Sequence, residues 1–125
     1  MKIYIAASNQ EAAILTSLRL IEAGHDITSS WLSEPFDRTV KYSEAERRAI
    51  AETDFDDIAD ADALVCLESD GLIPGGKFVE VGIALGLEKL VCVVGRRENM
   101  LMWHPGISQV DSIEEFIEIV AVSHP

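Results

Sequence analysis

The chain has 125 residues, the size of one domain with a hydrophobic core of its own. Its content of 48% hydrophobic and 26% charged residues is that of a globular protein rather than a disordered one. The 22 acidic and 10 basic residues give a net charge of -12, which argues against binding to a nucleic-acid polymer or an anionic membrane, because phosphate groups need a cationic surface. A mononucleotide is not excluded, since it needs only a few local donors.

The two cysteines give no sign of a metal centre. Cys66 and Cys92 each lie inside an apolar run, and no CxxC or Cys/His spacing accompanies them, so we expect buried, reduced thiols and no bound metal. No apolar segment approaches the length of a membrane span, and residues 1–4 lead directly into a strand rather than a signal peptide. A cytoplasmic protein without a membrane partner is therefore expected.

The first elements predicted along the chain are a strand, a helix and a second strand. Residues 3–7 are an apolar strand-like run, and Ser8 with Glu11 has the capping-box pattern of a helix start. Apolar residues at helical spacing continue to Gly24, which is suited to end a helix. Residues 25–31 are then predicted to form the second strand.

A loop separates this unit from the next. Residues 32–41 have no clear hydrophobic period and are predicted to be irregular. Ser43 and Glu46 form a second capping box, which opens a helix running towards Ile58. The near-continuous apolar character of residues 61–67 suits a parallel strand covered on both faces.

The remaining elements continue the alternation of strands and helices. They are a helix that contains Glu80 and ends near residues 86–89, a strand at 90–94, a loop at 95–104, a short strand at 107–110, and a last helix capped by Asp111 or Ser112. We therefore predict a single α/β domain spanning residues 1–125. Its sheet is expected to be doubly wound (flavodoxin- or Rossmann-like), mainly parallel and five-stranded, with helices on both faces.

Glu80 lies in the most informative stretch, residues 74–86. This stretch follows an apolar strand and opens a helix whose apolar residues recur three or four positions apart. A carboxylate near a helix start has two natural uses: an ordinary acid favoured by the helix dipole, or a nucleophile at the mouth of a pocket. The residues alone leave both uses open.

The predicted sheet gives the candidate ligand site a place. In open parallel sheets, ligands bind beyond the carboxyl ends of the strands. The segments expected there are residues 7–9, the loop after Trp31, residues 68–76 with the start of the Glu80 helix, and residues 95–99. The chain has neither a GxGxxG after its first strand nor a GxxxxGK[ST] motif, so no dinucleotide cofactor is expected.

Four motifs carry a family resemblance. They are IYIAAS at residues 3–8, DFDDIADADALV at 54–65, GGKFVEVGIAL at 75–85 and VVGRREN at 93–99. In this order they resemble the nucleoside 2-deoxyribosyltransferase family, including its hydrolytic relatives that cleave (deoxy)nucleoside 5′-monophosphates. The resemblance spans nearly the whole chain and implies a nucleoside or nucleotide substrate.

The resemblance implies three catalytic residues. Glu80 would be the nucleophile that attacks the anomeric carbon of the sugar and displaces the base, and the helix start would help to keep it ionised. Tyr4 would orient this carboxylate, the alternative being a core aromatic. Asp54 would bind the substrate and handle a proton at the leaving base, the alternative being a solvated acid on a helix surface.

Substrate-binding residues are expected around these three. The candidates are Ala7, Ser8 and Asn9 after the first strand, Gly75 and Gly76 at the start of the Glu80 helix, and Asn99 and His104 in the loop at 95–104. The resemblance implies that Asn99 reaches into the pocket of a neighbouring subunit, which would make the protein a homodimer or a larger homo-oligomer with shared active sites. The alternatives are a turn asparagine and a solvated loop histidine. The consecutive apolar residues 100–103 also favour a subunit contact.

Two departures from the family pattern concern the substrate. Family members that hydrolyse monophosphates carry an arginine just after the first strand, whereas residues 8–10 here are Ser-Asn-Gln. Arg96 or Arg97 is the candidate replacement for this cation. Asp70 is ten residues before Glu80, so its match to the aspartate that serves the base in transferases is open.

Three functions from different classes remain after this reading. The first is cleavage of an N-glycosidic bond or base exchange on nucleosides or their 5′-monophosphates, through a covalent glycosyl-enzyme on Glu80. The second is a non-catalytic nucleotide-binding or sensing module on the same fold, and the third is an acidic helper protein without a small-molecule site. A pure binder needs no phenol paired with a carboxylate, so the joint presence of Tyr4, Asp54 and Glu80 favours the enzyme.

Overall fold

The computed structural model describes residues 1–34, 39–69 and 75–123. Within these residues it contains five strands and four α-helices. They are β1 (Lys2–Ala6), α1 (Gln10–Glu22), β2 (Asp26–Ile27), α2 (Glu44–Asp60), β3 (Ala63–Leu67), α3 (Gly76–Gly86), β4 (Leu90–Val94), β5 (Ile107–Val110) and α4 (Ile113–Ser123), with short 3₁₀ turns at Ser30–Ser33 and Met100–Trp103. No helix in these ranges has the length and apolar character needed to cross a membrane.

The strands form one parallel sheet in the order β2-β1-β3-β4-β5. This is the flavodoxin-like order of a doubly wound α/β fold, so the predicted fold class is confirmed. The chain reverses its winding direction between β1 and β3, and ligands of such sheets bind at that point, beyond the carboxyl ends of the strands.

The side chains of the central strands alternate between two hydrophobic cores, one on each face of the sheet. Ile3 and Ile5 of β1 pack on the face covered by α1 and α4, with Leu20 and Phe116 among the buried neighbours. Tyr4 of the same strand points to the opposite face, which is covered by α2 and α3. Because side chains alternate along a strand, one strand both completes a core and presents Tyr4 to the helix that carries the candidate nucleophile.

The prediction of a second strand at residues 25–31 was wrong in extent. Only Asp26–Ile27 pairs with β1, and Ser30–Ser33 is a 3₁₀ turn. Side chains replace the missing strand bonds: Ile5 N–H donates to Ser29 Oγ at 2.6 Å, and Trp31 Nε1 donates to Ile5 O at 3.0 Å. With the backbone of Ile5 satisfied in this way, the chain can turn away from the sheet.

The two predicted capping boxes have different outcomes. The box at Ser43 and Glu46 is confirmed, with both reciprocal hydrogen bonds present at the start of α2. The box that begins at Ser8 was wrong, because Asn9 is the cap and its Oδ1 accepts from Ala12 N–H at 3.0 Å. The one-residue shift leaves the hydroxyl of Ser8 free to bond elsewhere.

Candidate active site

The centre of the site is a hydrogen bond between β1 and α3. Tyr4 is fully buried, and its hydroxyl donates to Oε2 of Glu80, 76 residues further along the chain. The structure thus places the phenol and the carboxylate of the predicted catalytic set in direct contact. The bond fixes the direction of one carboxylate oxygen and leaves Oε1 for another role.

Burial controls the charge of Glu80. It raises the pKa of this carboxyl from 4.5 to about 7, and the negative charge of Asp54 acts in the same direction, while the hydrogen bond from Tyr4 opposes the rise. Glu80 is the fifth residue of α3, beyond the first turn to which the helix dipole is largely confined. The expectation that the helix start keeps Glu80 ionised was therefore wrong, because desolvation dominates.

Asp54 of α2 belongs to the same electrostatic group. It is half-buried, and burial together with the nearby charge of Asp57 raises its pKa. Its negative charge in turn raises the pKa of both Tyr4 and Glu80. Asp57 itself bonds away from the group, accepting from Ser30 N–H at 3.1 Å. Asp54 is thus a second carboxyl whose charge is coupled to those of Tyr4 and Glu80.

A cavity of about 510 Å³ opens beside Asp54. Its lining residues are Gln10, Ser30, Trp31, Glu34, Tyr42, Ala49, Ile50, Thr53 and Asp54. The indole of Trp31 is fixed by its bond to the backbone of β1, and Gln10 Nε2 donates to the carbonyls of Trp31 and Glu34 at 3.2 and 2.7 Å. The wall of the cavity therefore includes the fixed aromatic ring of Trp31 and the carboxyl of Asp54.

Trp31, Tyr42 and Gln10 did not emerge from the sequence as site residues. Trp31 was assigned to a strand, and the other two lay outside the motifs. A usable signal was present nonetheless, because a tryptophan followed by a loop of no clear period lies at the ligand edge of the predicted sheet.

The segment after β1 is only partly directed towards the site. Ser8 Oγ lies 3.0 Å from Ser69 Oγ, which joins the ends of β1 and β3. Ala7 is half-buried next to it, whereas Asn9 is exposed and its side-chain oxygen caps α1. Whether any of these three contacts a ligand stays a prediction.

Gly75 and Gly76 begin α3 and are both exposed. A Cβ built on either glycine meets no other atom of the described residues within 4 Å, so packing inside this chain does not require glycine there. Gly75 is the N-cap and offers no side-chain hydrogen bond to the helix. Asp70 lies outside the described residues.

Asn99 and His104 lie at a different cavity, of about 140 Å³, between α3 and the Met100–Trp103 turn. Oδ1 of Asn99 accepts from the N–H groups of Leu101 and Met102, and Nδ1 of His104 accepts from Gly106 N–H. Their hydrogen bonds therefore hold the loop and do not reach Tyr4 or Glu80 of the same chain.

Neither arginine proposed as a phosphate ligand is free of other bonds. Arg97 donates to the carbonyls of Met102 and Ile107, and its guanidinium lies over the ring of Trp103. Arg96 lies 3.4 Å from the carboxylate of Glu68. Among residues 1–34, 39–69 and 75–123, no group of three or more metal-ligating side chains could hold a metal ion.

Comparison with solved structures shows what the fold is similar to. The 2-deoxyribosyltransferase of Bacillus psychrosaccharolyticus is 22% identical, with a TM-score of 0.71 over 94% of this chain and 90% of that one. The CMP N-glycosidase BcmB of Clostridium botulinum is 15% identical, with a TM-score of 0.63 over 98% and 99%. A conserved protein from Enterococcus faecalis is 16% identical, with a TM-score of 0.68 over 98% of both chains.

Neither a family model nor a curated protein sequence matches the chain. The match to the three solved structures covers nearly the whole chain, so the resemblance inferred from the four sequence motifs is confirmed at the level of the fold.

Proposed function

We propose that this protein cleaves or exchanges the N-glycosidic bond of nucleosides or their 5′-monophosphates, with Glu80 as a covalent nucleophile. The observation that carries the proposal is the hydrogen bond from buried Tyr4 to Glu80 at the ligand edge of the sheet. Proteins of the same fold include a 2-deoxyribosyltransferase and a CMP N-glycosidase, which supports this class of substrate.

The first step is a displacement at the anomeric carbon. An ionised oxygen of Glu80 bonds to C1′, and the bond from C1′ to the base nitrogen breaks with its electron pair leaving on the base. Asp54, in the wall of the neighbouring cavity, is the group that delivers a proton to the departing base. Tyr4 holds the carboxylate of Glu80 in the direction of attack.

The second step releases the sugar from Glu80. Water or a second base attacks C1′ from the opposite face, the ester bond to Glu80 breaks, and the proton of the attacking group returns to Asp54. Two successive displacements retain the configuration at C1′. Attack by water gives hydrolysis and attack by a base gives transfer.

The base fits the cavity beside Asp54. Its volume of about 510 Å³ exceeds what a single heterocycle requires, and Trp31 offers an aromatic ring for stacking. Asp54 lines this cavity and its charge also acts on Glu80, so a base held there can direct its leaving nitrogen towards Asp54.

A second subunit completes the site in this proposal. Met100, Leu101 and Trp103 are 82%, 80% and 65% exposed, an apolar surface that favours contact with another copy of the chain. Asn99 is the N-cap of the same turn, and its side-chain hydrogen bonds do not reach Tyr4 or Glu80 of its own chain. Its amide N–H₂ group would then serve the sugar held by the partner.

The test is a panel of ribo- and 2′-deoxynucleosides and their 5′-monophosphates, each incubated with and without an acceptor base and analysed by chromatography. Base release without acceptor identifies a hydrolase, and exchange only with acceptor identifies a transferase. Glu80→Ala is the matched inactive control. Binding of a panel compound without any turnover would contradict the enzyme and support a non-catalytic nucleotide-binding module.

A further inference from the structure

A buried lysine lies one helical turn before the candidate nucleophile. The side chains of Lys77 and Glu98 are 1% and 3% exposed, and they form an ion pair at 2.5 Å. Lysine is almost never fully buried unless it is paired. Since Lys77 and Glu80 are three residues apart on α3, whatever fixes Lys77 also fixes the turn that carries Glu80.

The ammonium of Lys77 uses all of its donors. It donates to Leu67 O at 2.9 Å, to Ser69 Oγ at 2.5 Å and to Glu98 Oε1 at 2.5 Å. An ammonium has three N–H groups, so three acceptors in three directions hold it at one position. Ser69 also donates its backbone N–H to Glu98 Oε1 at 3.1 Å, and its hydroxyl meets that of Ser8.

This network joins three loops at the ligand edge to one helix. Ser8 follows β1, Ser69 follows β3 and Glu98 follows β4, and all three connect to Lys77 in the first turn of α3. The N-cap of α3 is Gly75, which has no side chain to bond to the helix. The lysine network therefore ties the first turn of a helix without a side-chain cap to the loops that follow β3 and β4.

A contribution to folding stability does not by itself explain why Lys77 and Glu98 are charged residues at buried positions. A buried ion pair is often no more stable than apolar side chains of similar volume, because both ions lose their hydration. Within the described residues, Oε2 of Glu98 is buried without a hydrogen-bond partner, which adds to that cost. The arrangement instead supplies fixed geometry at the start of the Glu80 helix.

We infer that Lys77, paired with Glu98, is a positioning residue that holds the first turn of α3 so that Glu80 meets Tyr4 and the anomeric carbon. The inference rests on the proposed function for its catalytic consequence. A displacement of about 1 Å at a reacting group can reduce the rate about 100-fold, so a rigid anchor one turn away has a direct effect on turnover.

The test uses the double variant Lys77→Met/Glu98→Leu, which removes both charges and leaves no unpaired ion. We expect a folded protein with a lower melting temperature, because Leu67 O and Ser69 N–H lose their partners, together with a fall in kcat of about 10- to 100-fold and a KM within about threefold. Arg48→Met/Glu44→Gln is the control, because it removes an exposed ion pair on α2. It should leave kcat unchanged.

Hydrogen exchange separates the anchor from the catalysis. Amides of residues 79–81 should exchange at least about tenfold faster in the double variant, with amides of α4 unchanged as the internal reference. A folded double variant with wild-type kcat and wild-type exchange in α3 would overturn the inference, as would a lower melting temperature with kcat intact. If no panel compound is turned over, the proposed function fails and the exchange rates alone decide whether Lys77 anchors the helix.

Lys77→Arg keeps the test open if the double variant does not fold. The guanidinium preserves the ion pair, but its planar fork cannot repeat the compact three-way geometry of the ammonium. We expect a folded protein with kcat between those of the wild type and the double variant. Wild-type kcat in Lys77→Arg together with unfolding of the double variant would assign Lys77 to stability only and contradict the inference.

Discussion

Replacing Glu80 by glutamine should stabilise the protein at alkaline pH while removing its activity. The variant exchanges a half-buried carboxylate for a neutral side chain of nearly the same shape. Burial raises the pKa of Glu80 from 4.5 to about 7. At 1.36 kcal/mol per pH unit, the difference corresponds to about 3 kcal/mol of folding free energy, an upper value because the side chain keeps some contact with water.

The direction of this pH dependence follows from whether the folded and the unfolded protein hold the proton of Glu80. Between pH 4.5 and about 7 the folded protein retains the proton of Glu80, whereas the unfolded chain has released it. The stabilising contribution is complete below pH 4.5 and is lost as the pH rises through about 7. Glu80→Gln has no such loss. Its stability relative to the wild type should therefore increase by about 2 kcal/mol between pH 5.5 and pH 8.

The assay is urea unfolding of both proteins at pH 5.5 and pH 8, with the free energy of unfolding compared at each pH. The other titrating groups are common to both proteins, so their contributions cancel. Glu118→Gln on the exposed surface of α4 is the control for loss of one negative charge. The same Glu80→Gln preparation should have lost activity by at least about 1000-fold, because no neighbouring group replaces a covalent nucleophile.

A stability difference that stays constant within about 0.5 kcal/mol across this pH range would refute the reasoning. It would mean that Glu80 titrates with the same pKa in the folded and unfolded protein, and that Glu80 is not desolvated beside Tyr4 in solution. Substantial residual turnover in Glu80→Gln would separately refute the role of Glu80 as nucleophile.

Three further experiments test Glu80 and its surroundings. Tyr4→Phe should lower kcat about tenfold and move the acid limb of the pH profile to higher pH, because the lost bond had lowered the pKa of Glu80; an effect on melting temperature alone would make Tyr4 a core residue. Asp54→Asn should lower kcat by about 10² or more and move the acid limb to lower pH, because a like charge is removed; an unshifted limb would contradict the coupling. Mixing inactive Glu80→Ala and Asn99→Ala subunits should restore part of the activity if sites are shared, whereas no recovery after confirmed subunit exchange would mean that each chain builds its own site.

The sequence predicted those elements whose signal is local. The strand β4 is a continuous apolar run and the cap of α2 is a complete pattern within four residues, so both were predicted correctly. The strand β3 was predicted with its correct end, but it begins at Ala63, two residues later than expected. The second strand was overextended because the bonds that end it come from Ser29 and Trp31 to Ile5, more than twenty residues away. Such bonds leave no periodic signal.

The candidate site divides in the same way. The pairing of Tyr4 with Glu80 was implied by resemblance, and the structure brings the two together. The role inferred for Lys77 could not be predicted, because it depends on hydrogen bonds to Leu67, Ser69 and Glu98. These acceptors come from other segments of the chain and leave no local pattern in the sequence. The pKa of Glu80 was misjudged because a helix start is visible in sequence and burial is not.

The central claim is that a sugar is bonded to Glu80 during turnover. The most direct measurement is a single-turnover reaction with an active panel substrate, quenched with acid at millisecond intervals and followed by peptide mass spectrometry. We predict that the peptide containing Glu80 transiently gains the mass of one dehydrated sugar, in step with release of the base, and that Glu80→Gln never does. Full release of base with the sugar on another residue, or with no adduct and an inverted configuration at C1′ in the product, would contradict this account.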